Sequence, residues 1–292
     1  MQYRLLGATG LRVSTLGFGA ATLGDEYGKA DPAEAERAVH RAIDLGINFF
    51  DTAPYYGRTL SETRLGQALK GRRDQVVLGT KVARYDVAGF DFSAAGVRRM
   101  AEESLRRLQT DYVDILHVHD VEFGDERQIL EETIPELRRL QAEGKTRFVG
   151  ITGLALKMLR SIAEQTRVDC ILSYCRYNLL NQDLAEMLAP LASEQNLGLI
   201  NASPLHMQLL SGTGVPPWHP APAAVRDAAG QVVECCKLRG ESPSAVALRY
   251  AISLPDVAST FVGLSTVAQV EENVAAIAQP QDMHLLEELS RI

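Results

Sequence analysis

Little in this 292-residue chain speaks for a stapled, anchored or charge-driven protein. Cysteine is scarce, at four residues, and none of Cys170, Cys175, Cys235 and Cys236 forms a CxxC pair. A bridge between the adjacent Cys235 and Cys236 would be strained, so the thiols read as reduced and predict a cytoplasmic protein. No apolar run approaches membrane-spanning length, and Met1 to Gly7 lacks the apolar centre of a signal peptide. Basic residues bring no surplus: 30 Lys plus Arg face 37 Asp plus Glu, a net charge of −7. The arginine pairs at 72–73, 98–99 and 138–139 read as solvated helix faces, which argues against a nucleic-acid partner. Also missing is a GxGxxG turn between an early strand and a helix. The nearest approximation, Gly7 to Gly10, falls in a predicted hairpin, so a doubly wound sheet is disfavoured.

What the chain does contain is alternation. Hydrophobic residues make up 46% and charged residues 23%, a globular composition. The length is ordinary for one α/β barrel and allows a large core without disulfides or metals. Residues 3–14 predict a hairpin around Thr9 and Gly10, and 16–20 a first barrel strand. Asp31 and Pro32 open a helix that stops at Gly46. Further strands are predicted to end at Asp51, Lys81, His119, Thr152, Ser173, Ser203 and Gly263. Helices are predicted over 61–69, 93–108, 126–143, 154–165, 183–195, 223–239 and 268–277, with a short tail helix. Eight strands alternating with eight helices, without a composition break, predict one domain over 1–292: an α/β fold, a (β/α)8 TIM barrel carrying an N-terminal β-hairpin.

The polar residues that terminate the apolar runs carry the chemistry. Ile47, Phe49 and Phe50 form a buried-strand pattern that stops at Asp51, followed by Tyr55 and Tyr56. A carboxylate there is costly without a partner, and runs ending in Lys81 and His119 supply candidates. Asp, Tyr, Lys and His at one barrel rim make a proton-handling site. A phenol titrates near pH 10 and carries protons poorly near neutrality unless its anion is stabilised. Lys81 would lower that value, Asp51 would hold the lysine, and His119 would hydrogen-bond a substrate oxygen. Such a cluster moves a proton on a carbonyl or alcohol oxygen while a hydride moves on carbon, which requires a nicotinamide.

The run from Asp51 through Tyr56 to Gly57, Gly79-Thr80-Lys81 and Leu116-His117-Val118-His119 resemble the motifs of the aldo-keto reductases. The resemblance spans Gly17 to Asn273 and selects Tyr56 over Tyr55. It implies Tyr56 as general acid/base, Lys81 and Asp51 as its tuning pair, and His119 as orienter of the substrate oxygen. For the cofactor it implies Gly19, Ala20, Asp51, Thr152, Ser173, Ser203, Pro204, Leu205, Gly263, Ser265, Gln269, Glu272 and Asn273. A narrower similarity is to the L-galactose dehydrogenases of plants. It rests on 89–93, 111–124, 144–154, Ile171 to Cys175 and Trp218-His219-Pro220. It implies oxidation of an aldose at C1 to the sugar lactone with NAD, L-galactose to L-galactono-1,4-lactone first. Trp218 joins Tyr56 and His119 as a substrate residue. Family members that take NADPH usually carry Lys or Arg before the final helix. Here 263–269 has none, so a 2′-phosphate would lack its charge-assisted partners. Ser173 and Ala202 depart from the family pattern around the nicotinamide.

Blander readings compete. Asp51 alone could be a cap or a structural ion pair, Lys81 a surface residue, Tyr55 a packing residue and Trp218 a loop anchor. Cys175 and Met207 read as wall. His117 and His119, two apart on a strand, face the same way, and HxH is a metal-ligand pattern. Further ligands at other strand ends are wanting, since only His206 among the remaining histidines closely follows a strand, so no metal is predicted. An NADPH-dependent carbonyl reductase and a cofactor-sensing subunit are the other functional readings. The expected partners are a small sugar and, at most, a second copy in a weak homodimer; no membrane or nucleic acid is expected.

Overall fold

In the computed structural model, which describes residues 1–292, the apolar runs become ten strands. Strands β1 (Tyr3–Leu5) and β2 (Arg12–Ser14) pair antiparallel, with Tyr3 opposite Ser14. They are joined by a 3-10 turn over Gly7–Thr9 that ends on left-handed Gly10. The other eight are β3 (Leu16–Gly19), β4 (Phe49–Asp51), β5 (Val77–Val82), β6 (Val113–Val118), β7 (Thr146–Gly153), β8 (Cys170–Tyr174), β9 (Gly198–Ala202) and β10 (Val257–Gly263). They run parallel in chain order and close into a barrel, β10 pairing with both β9 and β3. The (β/α)8 barrel with its N-terminal hairpin is therefore as the sequence predicts.

Parallel strands place all their C-terminal ends on one rim, and the hairpin blocks the opposite end. Leu6, Leu11 and Val13 from the hairpin pack with Phe49, Ile115, Leu172, Ile200 and Phe261 inside the barrel. Arg4 ties the hairpin down by donating to Leu254 O, Val257 O and Ile252 O. The rings of Phe49 and Phe261 meet at 4.6 Å in the barrel interior. A side chain at Gly17 would sit 2.4 Å from the Phe261 ring, so glycine there is a packing requirement. Truncating either ring to alanine would cost about 3–5 kcal/mol.

The helices pack on the outside with their apolar stripes against the strands. Helix Pro32–Asp44 starts as expected, Asp31 capping the Glu34 amide with Pro32 at the first position. Helix Ala94–Leu108 is capped by Ser93 on the Gly96 amide. Two helices predicted as continuous are interrupted at proline. Over 126–142, a π turn at Ile129–Thr133 precedes Pro135, and 183–195 splits into Asp183–Met187 and Ala189–Gln195 around Pro190. A proline has no amide to donate and its ring crowds the preceding turn, so the ladder shifts or breaks. A helix missing from the sequence reading, Pro243–Ile252, lies between helix Ala223–Leu238 and β10. Its signal was present: Ser242 caps the Ala245 amide and proline sits first.

The arginine pairs are also not merely solvated. Arg73 bonds buried Asp114 at 2.8 Å, Arg98 bonds buried Glu136 at 2.6 Å, and Arg138 bonds Asp169 at 2.8 Å. Asp114 also accepts the Leu78 amide and Arg147, which stitches β5 to β6 and β7. No helix is long and apolar enough to cross a membrane.

Candidate active site

Asp51 is the last residue of β4, Lys81 sits one residue before the end of β5, and His119 directly follows β6. The ladder continues past each end. The Thr52 amide donates to Gly79 O at 3.0 Å and the His119 amide to Val82 O at 2.9 Å, so all three residues are held by backbone. Tyr56 enters from the turn after Ala53. Gly24 and Gly57 interlock beneath that turn: a side chain at Gly57 would lie 2.1 Å from Gly24 O, and Gly57 has φ of +60°. Glu26 accepts the Gly57 amide at 2.7 Å. Ser61 donates to Ala20 O at 2.6 Å and contacts Thr52 Oγ1 at 2.8 Å, which joins the first two rim loops.

At the centre, Lys81 Nζ donates to Asp51 Oδ2 at 2.5 Å and to Thr52 O at 2.8 Å. Both side chains are buried, Lys81 at 1% exposure and Asp51 at 5%. The ammonium lies 4.7 Å from the Tyr56 ring centroid, and the Tyr56 and His119 rings meet edge-on at 5.8 Å. Tyr55 is also edge-on to His119, at 6.0 Å, but lies under the Arg84 guanidinium at 4.0 Å. The four predicted side chains thus converge, and the two tyrosines are distinguished by which cation each meets.

The electrostatics differ from the sequence expectation at one point. Burial, reinforced by the Asp51 and Asp120 carboxylates, pushes the Tyr56 phenol well above its usual value. Lys81 was expected to lower it, but its ammonium is committed to Asp51 and Thr52. Burial likewise raises Asp51 against the pull of Lys81. It lowers His119 well below the ordinary histidine value, helped by the positive charges of Lys81 and Arg84. Tyr56 and His119 are therefore both neutral near pH 7: a phenol that can donate and an imidazole that stays uncharged.

Around this centre stand groups that residue-type reasoning missed. Asp120, left-handed at φ 55°, pairs with Arg84 and lies 3.5 Å from His119 Nε2. Arg84 itself is stacked among Tyr55, Phe90 and Phe123. Its position three residues after Lys81, just beyond the same strand end, was the available signal. Tyr27, also unanticipated, approaches Trp218, the aromatic expected at the substrate, at 5.9 Å, and Trp218 stacks on His219 at 5.7 Å. His219 Nδ1 accepts the Ala221 amide and its Nε2 donates to His206 O, which anchors the loop and leaves Trp218 half exposed. His117, the other half of the HxH pattern, is completely buried one layer below His119, and no three His, Cys, Asp or Glu side chains form a metal-binding group.

The residues expected at the cofactor lie on the adjoining rim. Gly19 ends β3 and Gly263 ends β10; a side chain on Gly19 would come within 3.0 Å of Val262 O, which keeps the backbone bare there. Ala20 is buried beside them. Ser265 donates through its amide to Gln269 Oε1 at 2.9 Å, and Asn273 donates to Gln269 O at 2.9 Å. Glu272 is exposed on the same helix, Val267–Ile277. Thr152 Oγ1 accepts the Asp120 amide, and Ser173, fully buried, donates to Gly153 O at 2.8 Å. Ser203 is left-handed (φ 56°) after β9 and leads to buried Pro204 and half-buried Leu205. Glu34 was not anticipated: its carboxylate accepts the Val267 amide at the start of this helix at 2.8 Å. Bare glycine backbone and neutral polar side chains suit a dinucleotide.

A family model described as "Aldo/keto reductase family" matches residues 15–291. An L-galactose dehydrogenase of Arabidopsis thaliana is 47% identical over 294 residues, covering 99% of this chain and 92% of that protein. A D-arabinose 1-dehydrogenase of Saccharomyces cerevisiae is 34% identical over 256 residues, covering 82% and 76%. A D-threo-aldose 1-dehydrogenase of a Pseudomonas species is 30% identical over 295 residues, covering 91% and 90%. Among solved structures, the holo form of an aldo-keto reductase from Bacillus halodurans aligns with a TM-score of 0.85 at 30% identity, covering 99% of this chain and 96% of that one. The chain belongs to the aldo/keto reductase family, a family of enzymes that work with nicotinamide cofactors.

Proposed function

We propose that this protein is an NAD-dependent aldose 1-dehydrogenase that oxidises C1 of a ring-form sugar to the lactone, with L-galactose as the lead substrate. The observation that carries the reading is the convergence of Tyr56, His119 and the Lys81–Asp51 pair at the rim. The names of three relatives, all sugar dehydrogenases, support the substrate class. Bound at Gly19, Gly263 and the start of helix Val267–Ile277, a nicotinamide dinucleotide would supply the hydride acceptor. The absence of Lys and Arg from 263–269, together with Glu34 on the Val267 amide, supports NAD over NADP. The free thiols support a cytoplasmic setting, and a monomer or weak homodimer is part of the same reading.

The chain's own residues divide the work. His119, neutral and flanked by Asp120, orients the C1 oxygen by hydrogen bonding. Tyr56 receives the hydroxyl proton, and Lys81 holds positive charge 4.7 Å from its ring. Because the phenol is raised, the fraction in the base form grows as pH rises, so sugar oxidation should accelerate up to and beyond about pH 10. Trp218 and Tyr27 present aromatic surface at the mouth, the kind of face a pyranose ring stacks on.

Tyr56→Phe tests the assignment directly. It should lower kcat at least about a thousandfold, within the range for removal of a general acid/base, with nucleotide binding retained. Turnover by the Phe variant would overturn it. A second reading has one specific observation in its favour: a neutral, high-pKa phenol is also suited to protonating a carbonyl, as an NADPH-dependent reductase requires. Turnover confined to NADPH and carbonyl substrates would select that reading instead.

A further inference from the structure

His117 has a place in the barrel that the four rim residues do not explain. It lies at 0% exposure on β6, with neither ring nitrogen hydrogen-bonded to protein. Two glycines make room for its ring. On one side it is registered with Gly150 of β7, where a side chain would sit 2.3 Å from His117 Nδ1 and 2.7 Å from Cys170 Sγ. On the other side is Gly79 of β5. A methyl carbon there would sit in ordinary contact with three polar atoms: Asp51 Oδ1 at 3.6 Å, Phe50 O at 3.8 Å and His117 Nε2 at 3.9 Å. Asp51 Oδ1 is itself buried without a protein partner, although Oδ2 is bound to Lys81.

A buried carboxylate oxygen and a buried imidazole, both unpaired, would each carry a desolvation cost if left so. Their hydrogen-bonding capacities are complementary through one intermediary. A water can donate to the carboxylate and to the carbonyl, which has two lone pairs, and accept from an Nε2–H imidazole. Direct contact between the histidine and the acid is not made, and the space beside Gly79 lies between them. The nitrogen left unprotonated, Nδ1, is the one on the Cys170 side, where a thiol is at most a weak donor.

We propose that a buried water seated beside Gly79 links Asp51 Oδ1 to His117 Nε2–H, making His117 a positioning residue for the Lys81–Asp51 pair. The link fixes the plane of the Asp51 carboxylate, so that Oδ2 stays on Lys81 and the ammonium stays beside the Tyr56 ring. Its consequence for turnover rests on the function proposed above; the link itself does not.

Three variants and three readouts test it. In a high-resolution crystal structure the hollow beside Gly79 should hold one water density peak. Histidine 15N spectra should show His117 neutral with the proton on Nε2. Gly79→Ala fills the hollow with a methyl group and changes no other side chain. It should remove the density and lower kcat about tenfold, the size of one charge-assisted hydrogen bond, with KM altered less than about twofold. His117→Leu should do the same. His117→Gln, whose amide can donate to the same water, should recover most of the loss, which a purely space-filling role would not predict. An Nδ1–H tautomer, a hollow without density, or wild-type kcat in both Gly79→Ala and His117→Leu would overturn the proposal. Failure of the wild-type protein to oxidise any aldose would refute the proposed function alone, and the density and tautomer would still decide the link.

Discussion

Replacing Lys81 by methionine is the sharpest perturbation of the site. Methionine keeps the length of the stem and removes the charge. Asp51 then loses its only ionic partner at 2.5 Å, and Thr52 O loses a donor at 2.8 Å, both in a region where the two side chains are at most 7% exposed. Breaking a buried pair by deleting one partner costs about 3–5 kcal/mol. An independent limit comes from proton uptake. Asp51 can escape an unpaired charge by protonating, and from an ordinary unfolded value near 3.9 that costs about 4 kcal/mol at pH 7 and about 1.5 kcal/mol at pH 5. The sign follows from linkage. Without Lys81 nothing offsets the burial that favours the neutral carboxyl, so the folded variant binds that proton more tightly than its unfolded chain and loses stability as pH rises above the unfolded value.

The expected result is therefore a deficit of about 4 kcal/mol at pH 7 that shrinks to about 1.5 kcal/mol at pH 5. Urea unfolding followed by far-ultraviolet circular dichroism at the two pH values measures it. The lone tryptophan, Trp218, sits in a loop and is a poor global reporter. Asp51→Asn combined with Lys81→Met should recover most of the stability while remaining inactive. A deficit below about 1 kcal/mol at pH 7, or one that does not change with pH, would refute the account of a charge pair held in a low-dielectric core.

Three other predictions concern the walls of the site. Gly57→Ala should lower kcat at least tenfold or so with nucleotide affinity little changed, because a methyl group 2.1 Å from Gly24 O at positive φ must displace the Tyr56 turn; steady-state kinetics and nucleotide titration separate the two effects. Glu34→Gln should raise NADP affinity relative to NAD, since it removes a carboxylate from the start of helix Val267–Ile277. Equal Kd ratios in wild type and variant would exclude Glu34 from cofactor choice. His219→Ala should raise KM for the sugar severalfold and leave nucleotide binding intact, because it frees the loop that presents Trp218 to Tyr27; an unchanged KM would make the loop a bystander.

The rim was legible because strand ends carry a strong signal. An apolar run needs polar residues only where it stops, and Asp51, Lys81 and His119 all stand within a residue of a strand's C-terminal end. Parallel pairing then obliges them to meet. Helix starts marked by Asp31 and Ser93 were legible for the same local reason, a side chain satisfying an amide three residues on. Interruptions at Pro135 and Pro190 were available in the sequence but outweighed by the helical spacing around them.

What the sequence concealed is pairing between neighbouring elements. Arg73, Arg98 and Arg138 look like surface cations until their partners are known, and Asp114, Glu136 and Asp169 lie from 31 to 41 residues away. Spacing along the chain has no bearing on contacts of that range. The phenol shows the same limit more strongly. A lysine near a tyrosine was read as lowering the phenol, but the sign depends on where the ammonium spends its hydrogen bonds. With Nζ bound to Asp51 and Thr52 O, the carboxylates and burial dominate at Tyr56. Residue identity therefore located four side chains that converge at the rim, while the protonation of the phenol among them depends on the three-dimensional charge pattern. That is why turnover with an aldose and NAD against a carbonyl and NADPH, rather than the presence of the four residues, separates a dehydrogenase from a carbonyl reductase in this barrel.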